Sequence, residues 1–202
     1  MTFILTDANW TTLMPIAYPT NFIGDYLLGD NINENLDALR LIWEKQAEHV
    51  HTTQEHKRLR KPVIVLCGAI AEAVLYDFFA KIRDFVTEGV EGIEEELAEH
   101  FRSMNNDNFQ FFIDQSRKHR LFGDGGDEFY DNLDKLAVLR NRIHIQNVKG
   151  FKPYREREAF TLAQQQMSEK ILEDLIRRMI ANYDRNQEDH VGGFTLPWDS
   201  HF

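Results

Sequence analysis

The stretch Pro62-Val63-Ile64-Val65-Leu66-Cys67-Gly68-Ala69-Ile70-Ala71-Glu72-Ala73-Val74-Leu75 decides the fold of this chain. It leaves almost no polar face, so a helix built from it must be covered on all sides. Pro62 suits a first helical turn, because its fixed φ is helical and its missing amide has no partner there anyway. Gly68, Ala69, Ala71 and Ala73 leave room for neighbouring backbones. The pattern runs from Val63 to about Phe85 and predicts the central helix of a bundle. Its uninterrupted apolar run, Val63 to Ala71, stops at Glu72 and is too short for a bilayer, so no membrane partner is expected.

Working outward, Leu36, Leu39, Ile42 and Trp43 recur at helical spacing and predict a preceding helix, with Asn33 or Asn35 as its cap. The basic segment His56-Lys57-Arg58-Leu59-Arg60-Lys61 reads as the connector between the two. Downstream, Ile93, Leu97 and Phe101 predict a short amphipathic helix. Phe109, Phe112 and Ile113 predict another, ending near Gly123. Asp127 caps a helix carrying Phe129, Leu133, Leu136 and Ile143, closed by Gly150 and Pro153. A last long helix, Arg155 to Tyr183, carries the stripe Phe160, Met167, Ile171, Leu175 and Met179. No repeat and no strand pair stands out. The expected fold class is all-α: a single bundle of about five to six helices over residues 31–185. An irregular N-terminal arm, residues 1–30, lays Trp10, Phe22 and Tyr26 on the core. The C-terminal tail, residues 186–202, ends in Phe194, Leu196, Trp198 and Phe202, which dock on the body or on a second subunit.

Composition narrows the function. The 202 residues are 43% hydrophobic and 28% charged, which is a globular balance with a real core. Cys67 is the single cysteine, which excludes an intrachain disulfide framework and a cysteine-rich zinc site. The first residues lack the basic start and apolar region of a secretory signal, so a cytoplasmic location is expected. A formal charge of −10 argues against broad, nonspecific nucleic-acid binding. The basic segment could still guide RNA locally through Lys57, Arg58, Arg60 and Lys61. No glycine-rich phosphate loop or nucleophile motif is present, and neither a cofactor nor a metal is expected.

Chemistry concentrates in Leu139-Arg140-Asn141-Arg142-Ile143-His144-Ile145-Gln146-Asn147. On a continuing helix Arg140 and His144 lie one turn apart on the same face, with Asn147 a further turn along. A permanently charged guanidinium beside a titrating imidazole can stabilise phosphoryl charge while a proton moves at an adjacent hydroxyl. Arg140 continues the core stripe from Leu133 and Leu136, so it is at least half buried and needs an acceptor, for which Glu72 is the candidate. The same residues also suit a structural role, with helix-end bases binding carbonyls or a carboxylate.

Leu139 to Asn147, following the helix around Val65 to Leu75, resembles the HEPN superfamily. That family pairs an early helix bearing small residues and an acid with a later helix bearing arginine, a polar residue and histidine. The resemblance spans roughly residues 35–182, and only Arg140-Asn141 and His144 are motif-like. It implies a homodimer in which two motif copies meet, with RNA as substrate of a metal-independent endoribonuclease using the 2′-hydroxyl as nucleophile. Other members are noncatalytic RNA-binding or assembly modules, and a cognate regulatory protein is a possible partner. On that reading His144 is the general acid or base, Arg140 stabilises the pentacovalent phosphate and Asn141 orients. Arg142 and Asn147 contact phosphate, and Glu72 supports Arg140. Three residues separate Arg140 from His144 here, fewer than the family usually has. Each residue removed rotates the histidine by about 100° on a straight helix. The tyrosine of toxin-type members is replaced by Gln146 and Asn147.

Two further clusters are weaker. Gly125-Gly126-Asp127-Glu128-Phe129 spells the diguanylate cyclase signature. No aspartate-bearing strand precedes it, and Asp127 as helix cap explains the same letters. His49, His51, Glu55 and His56 sit at spacings that could face an ion, but such clusters are usually solvated surface. His100 and His119 read as isolated, exposed histidines.

Overall fold

The computed structural model describes residues 16–84, 90–104, 106–124, 126–144, 155–185 and 191–201. Of the residues singled out above, Trp10, Phe85, Gly125, Ile145, Gln146, Asn147, Gly150, Pro153 and Phe202 lie outside the described set.

The chain is all-α. Its helices are α1 (Tyr26–Ala47), α2 (Gln54–Asp84), α3 (Glu95–Arg102), α4 (Phe109–Lys118), α5 (Glu128–Asn141), α6 (Glu156–Ala159) and α7 (Leu162–Tyr183). A two-residue strand β1 (Ala17–Tyr18) pairs antiparallel with β2 (Phe194–Thr195), and a 3₁₀ turn follows at Pro197–His201. The central helix is α2, packed against α1, α3, α4, α5 and α7. Val63, Ile64, Cys67, Ala71, Val74, Leu75 and Phe78 along it are fully buried, which is what an apolar run without a polar face requires.

The structure corrects several boundaries. The first helix begins earlier than Asn33: Asp25 caps it, accepting from the Leu28 amide at 3.1 Å. The basic segment is no connector but the opening turns of α2, where the Thr53 hydroxyl accepts from the His56 amide at 3.3 Å. Pro62 therefore lies inside the helix. The amide it lacks would have served the carbonyl of Arg58, an exposed residue where water can take over. The last helix is two, because Phe160 leaves helical geometry (φ −102°, ψ 67°) and Thr161 recaps the chain by accepting from the Gln164 amide at 3.2 Å. Asp127 caps α5 as expected, accepting from the Phe129 amide at 3.0 Å.

The tail docks on its own chain. Phe194 and Leu196 are fully buried, Phe194 meets Phe22 edge-on at 6.0 Å, and the Trp198 indole donates to Glu173 at 3.2 Å. Thr20 and Asn33 both donate to the backbone just before β2, at the Gly192 and Val191 carbonyls. The all-round apolar α2 passes a length-and-composition test for a membrane span, yet it is mostly buried within the bundle, so core packing accounts for its character.

Candidate functional site

The site forms where α2 and α5 cross. Gly68 makes the crossing possible. A β-carbon there would stand 2.7 Å from Cβ of Arg140, so only glycine lets the two backbones approach. One turn further along α2, Glu72 receives the Arg140 guanidinium through Nη2. Arg140 Nη1 donates to Asn141 Oδ1 at 3.1 Å. Both partners are half-buried, with side-chain exposures of 30% for Arg140 and 20% for Glu72. Burial pushes the Glu72 carboxyl up from its ordinary range, and the Arg140 guanidinium and Phe109 amide pull it only part of the way back. The acceptor that the core-stripe position demanded is present.

His144 is placed differently from the sequence expectation. α5 ends at Asn141, and the amides of Arg142, Ile143 and His144 each bond three residues back, to Leu139, Arg140 and Asn141. Such bonding tightens the chain to about three residues per turn, so a residue four positions on lies roughly a third of a turn further round. Arg140 and His144 therefore do not share a helix face. His144 is exposed at the turn that closes the helix.

The basic residues divide sharply. Arg142 is 7% exposed and lies over the Phe160 ring at 5.9 Å, with Lys61 over the same ring at 5.4 Å. The helix break at Phe160 thus supplies an aromatic ring that two cations approach. Lys61 also pairs with Glu156 at 2.5 Å. Arg60 is 8% exposed and donates to the His51 carbonyl at 2.7 Å. Of the segment's four expected phosphate contacts, Lys57 and Arg58 are the exposed pair. A cleft of about 280 Å³ lined by Val138, Leu139, Arg142, Glu158 and Ala159 opens beside this helix end. It shares Lys135 and Gln164 with a groove of about 550 Å³ between α5 and α7.

No family model, curated protein or solved structure matches this chain.

Three features escaped the sequence reading. Asp77 and Lys81 form a buried pair on α2, for which charged residues four apart on an otherwise apolar helix were the available signal. Gln46 and Gln165 exchange amide hydrogen bonds at 2.9 and 2.7 Å, and Gln165 and Trp43 both donate to Glu169. His100 and His119 are neither isolated nor exposed: their ring centres lie 5.7 Å apart. Among the described residues no three His, Cys, Asp or Glu side chains converge as a metal cluster, and the group at His49, His51, Glu55 and His56 does not assemble as one.

Proposed function

We propose that this chain is a HEPN-like, cytoplasmic protein that cleaves RNA without a metal ion, as a homodimer with Arg140, Asn141 and His144 at the reacting phosphate. One observation carries the reading: Glu72 and Asn141 fix a part-exposed guanidinium four residues before an exposed imidazole at the turn that ends α5. A guanidinium has five donors, so the two held nitrogens leave others for phosphate oxygens. His144 takes the proton from a ribose 2′-hydroxyl, whose oxygen attacks the adjacent phosphorus. Arg140 stabilises the charge of the pentacovalent phosphorane. The 5′-oxygen leaves with a proton from the second copy's imidazolium. The products are a 2′,3′-cyclic phosphate and a free 5′-hydroxyl. With its Oδ1 engaged by Arg140, Asn141 keeps its amide nitrogen for the substrate.

The engagement of Arg60, Lys61 and Arg142 within the fold favours a second reading, a noncatalytic dimerisation or RNA- or protein-binding module. Labelled single-stranded RNA incubated with the protein in EDTA distinguishes them. The enzyme reading expects 2′,3′-cyclic ends and a fall of about 10²–10⁴-fold in His144→Ala. A folded, dimeric wild type that leaves RNA intact selects the binding module.

A further inference from the structure

The junction of α3 with α4 holds a cluster that the proposed reaction does not use. His100 lies in the last turn of α3, and His119 is the residue that caps the C-terminus of α4. The two rings stand 5.7 Å apart and are tilted by 59°, with the Phe101 ring edge-on to His119 at 5.4 Å. Nε2 of each histidine is buried and meets no hydrogen-bond partner among the described residues. The same is true of Oε1 of Gln115, one turn before His119 on the same face of α4. Buried polar atoms are nearly always paired, so these call for a partner; Ser116 Oγ on α4 and Nε and Nη2 of Arg102 on α3 are likewise buried and unpaired among the described residues.

We propose that His100 and His119 ligate a divalent transition-metal ion of the zinc class through Nε2, with the Gln115 side-chain carbonyl as third donor. Two imidazoles on one tetrahedral ion at about 2.0–2.1 Å have ring centres roughly 5 Å apart, close to the separation observed. Arg102, the nearest cation on α3, lies two residues on, about 200° around the helix, and among the described residues its Nη1 alone is engaged, by Glu95 at 2.5 Å. Nitrogen donors with a single carbonyl suit zinc, nickel or copper and not calcium or magnesium. Solvent completes the shell.

The ion's role follows from packing. α3 is short and packs chiefly on α2, so a shared ion would clamp it to α4. The end of α4 is built to hold His119 in place. Arg120 adopts φ 54°, and the amides of Arg120 and Leu121 return to the carbonyls of Arg117 and Ser116. That is the left-handed termination in which glycine is usual, and here it carries an arginine.

The test is calorimetric titration of the metal-free protein with zinc at about pH 7.5. It compares wild type, His100→Gln, His119→Gln and a His49→Gln/His51→Gln control. One ion per chain is expected, weakened at least about tenfold in each single variant and unchanged in the control. Zinc near a hundred times its dissociation constant should raise the wild-type Tm by about 5 °C. In the wild type itself, ¹⁵N-histidine spectra should show the Nε2 signals of His100 and His119 moving on zinc addition, which keeps the test valid if a variant fails to fold. Binding unaltered by either substitution, no binding at millimolar zinc, or shifts confined to other histidines would overturn the proposal.

Discussion

The central helix contributes two carboxylates to ion pairs, and the two pairs have opposite surroundings. Asp77 and Lys81 are buried, with side-chain exposures of 2% and 4%. Asp77 accepts from the Gly24 amide at 2.9 Å and the Asp25 amide at 2.9 Å, while Lys81 donates to the Phe22 carbonyl. Burial pushes the Asp77 carboxyl up and the Lys81 ammonium down, and each pulls the other part of the way back. Glu72 and Arg140 keep one side open to solvent instead. The buried pair holds the segment before α1 in place through the Gly24 and Asp25 amides and the Phe22 carbonyl, and it also lines a cleft of about 400 Å³ beside the start of α1. A pair with free donors at an edge can also meet a substrate. The proposed function draws on the incompletely satisfied pair.

The largest expected effect breaks the closed pair. Asp77→Ala strands a buried ammonium and two backbone amides, and should cost about 3–5 kcal/mol in urea unfolding. Replacing both partners with apolar residues should cost less than that single change. A loss below about 1 kcal/mol for Asp77→Ala would contradict the closed-pair account. Next in size is Gly68→Ala, whose new methyl must displace Arg140. About 1–3 kcal/mol of destabilisation is expected, together with loss of RNA cleavage, measured on the same preparation.

At the open pair, stability and activity should separate. Arg140→Lys keeps the charge but loses the planar fork. Its Tm should stay within the range of a pair worth about 1 kcal/mol or less, while cleavage falls steeply. Equal losses in both would mean that the open pair is structural as well. Arg120→Gly, remote from both pairs, relieves a left-handed arginine and should raise stability by about 1 kcal/mol in chemical denaturation.

Glu169 extends the comparison to a half-buried carboxylate held by neutral donors, Trp43 and Gln165. Burial raises its pKa. Its favourable contribution is therefore full below the ordinary carboxylate range and is lost as pH rises through the raised value. Glu169→Gln mimics the protonated form. It should melt above wild type at neutral pH and converge with it in acid, read from Tm against pH.

Much of this was legible beforehand, for particular physical reasons. An apolar helix without a polar face has to be central, and α2 is. A core-stripe arginine needs a nearby acceptor, and Glu72 sits where the central helix could offer one. Asp127 is a local cap, set by residues within one turn of it. The start of α2 was misread because a basic run looks alike as an exposed helical turn and as a connector. The decisive Thr53 cap is a single hydroxyl. The break at Phe160 was hidden because its ring fits an apolar stripe equally well, and its contacts with Lys61 and Arg142 emerge only in the folded chain.

The sequence by itself determined which residues must leave water and which local hydrogen bonds begin most helices, because periodicity and capping act within a few residues of each other. Only the tertiary structure decided where α5 unwinds, which cations remain exposed, and that His100 and His119 meet. Those outcomes depend on distances between helices far apart in the chain, and pairwise packing at such separations leaves no periodic trace in any one segment.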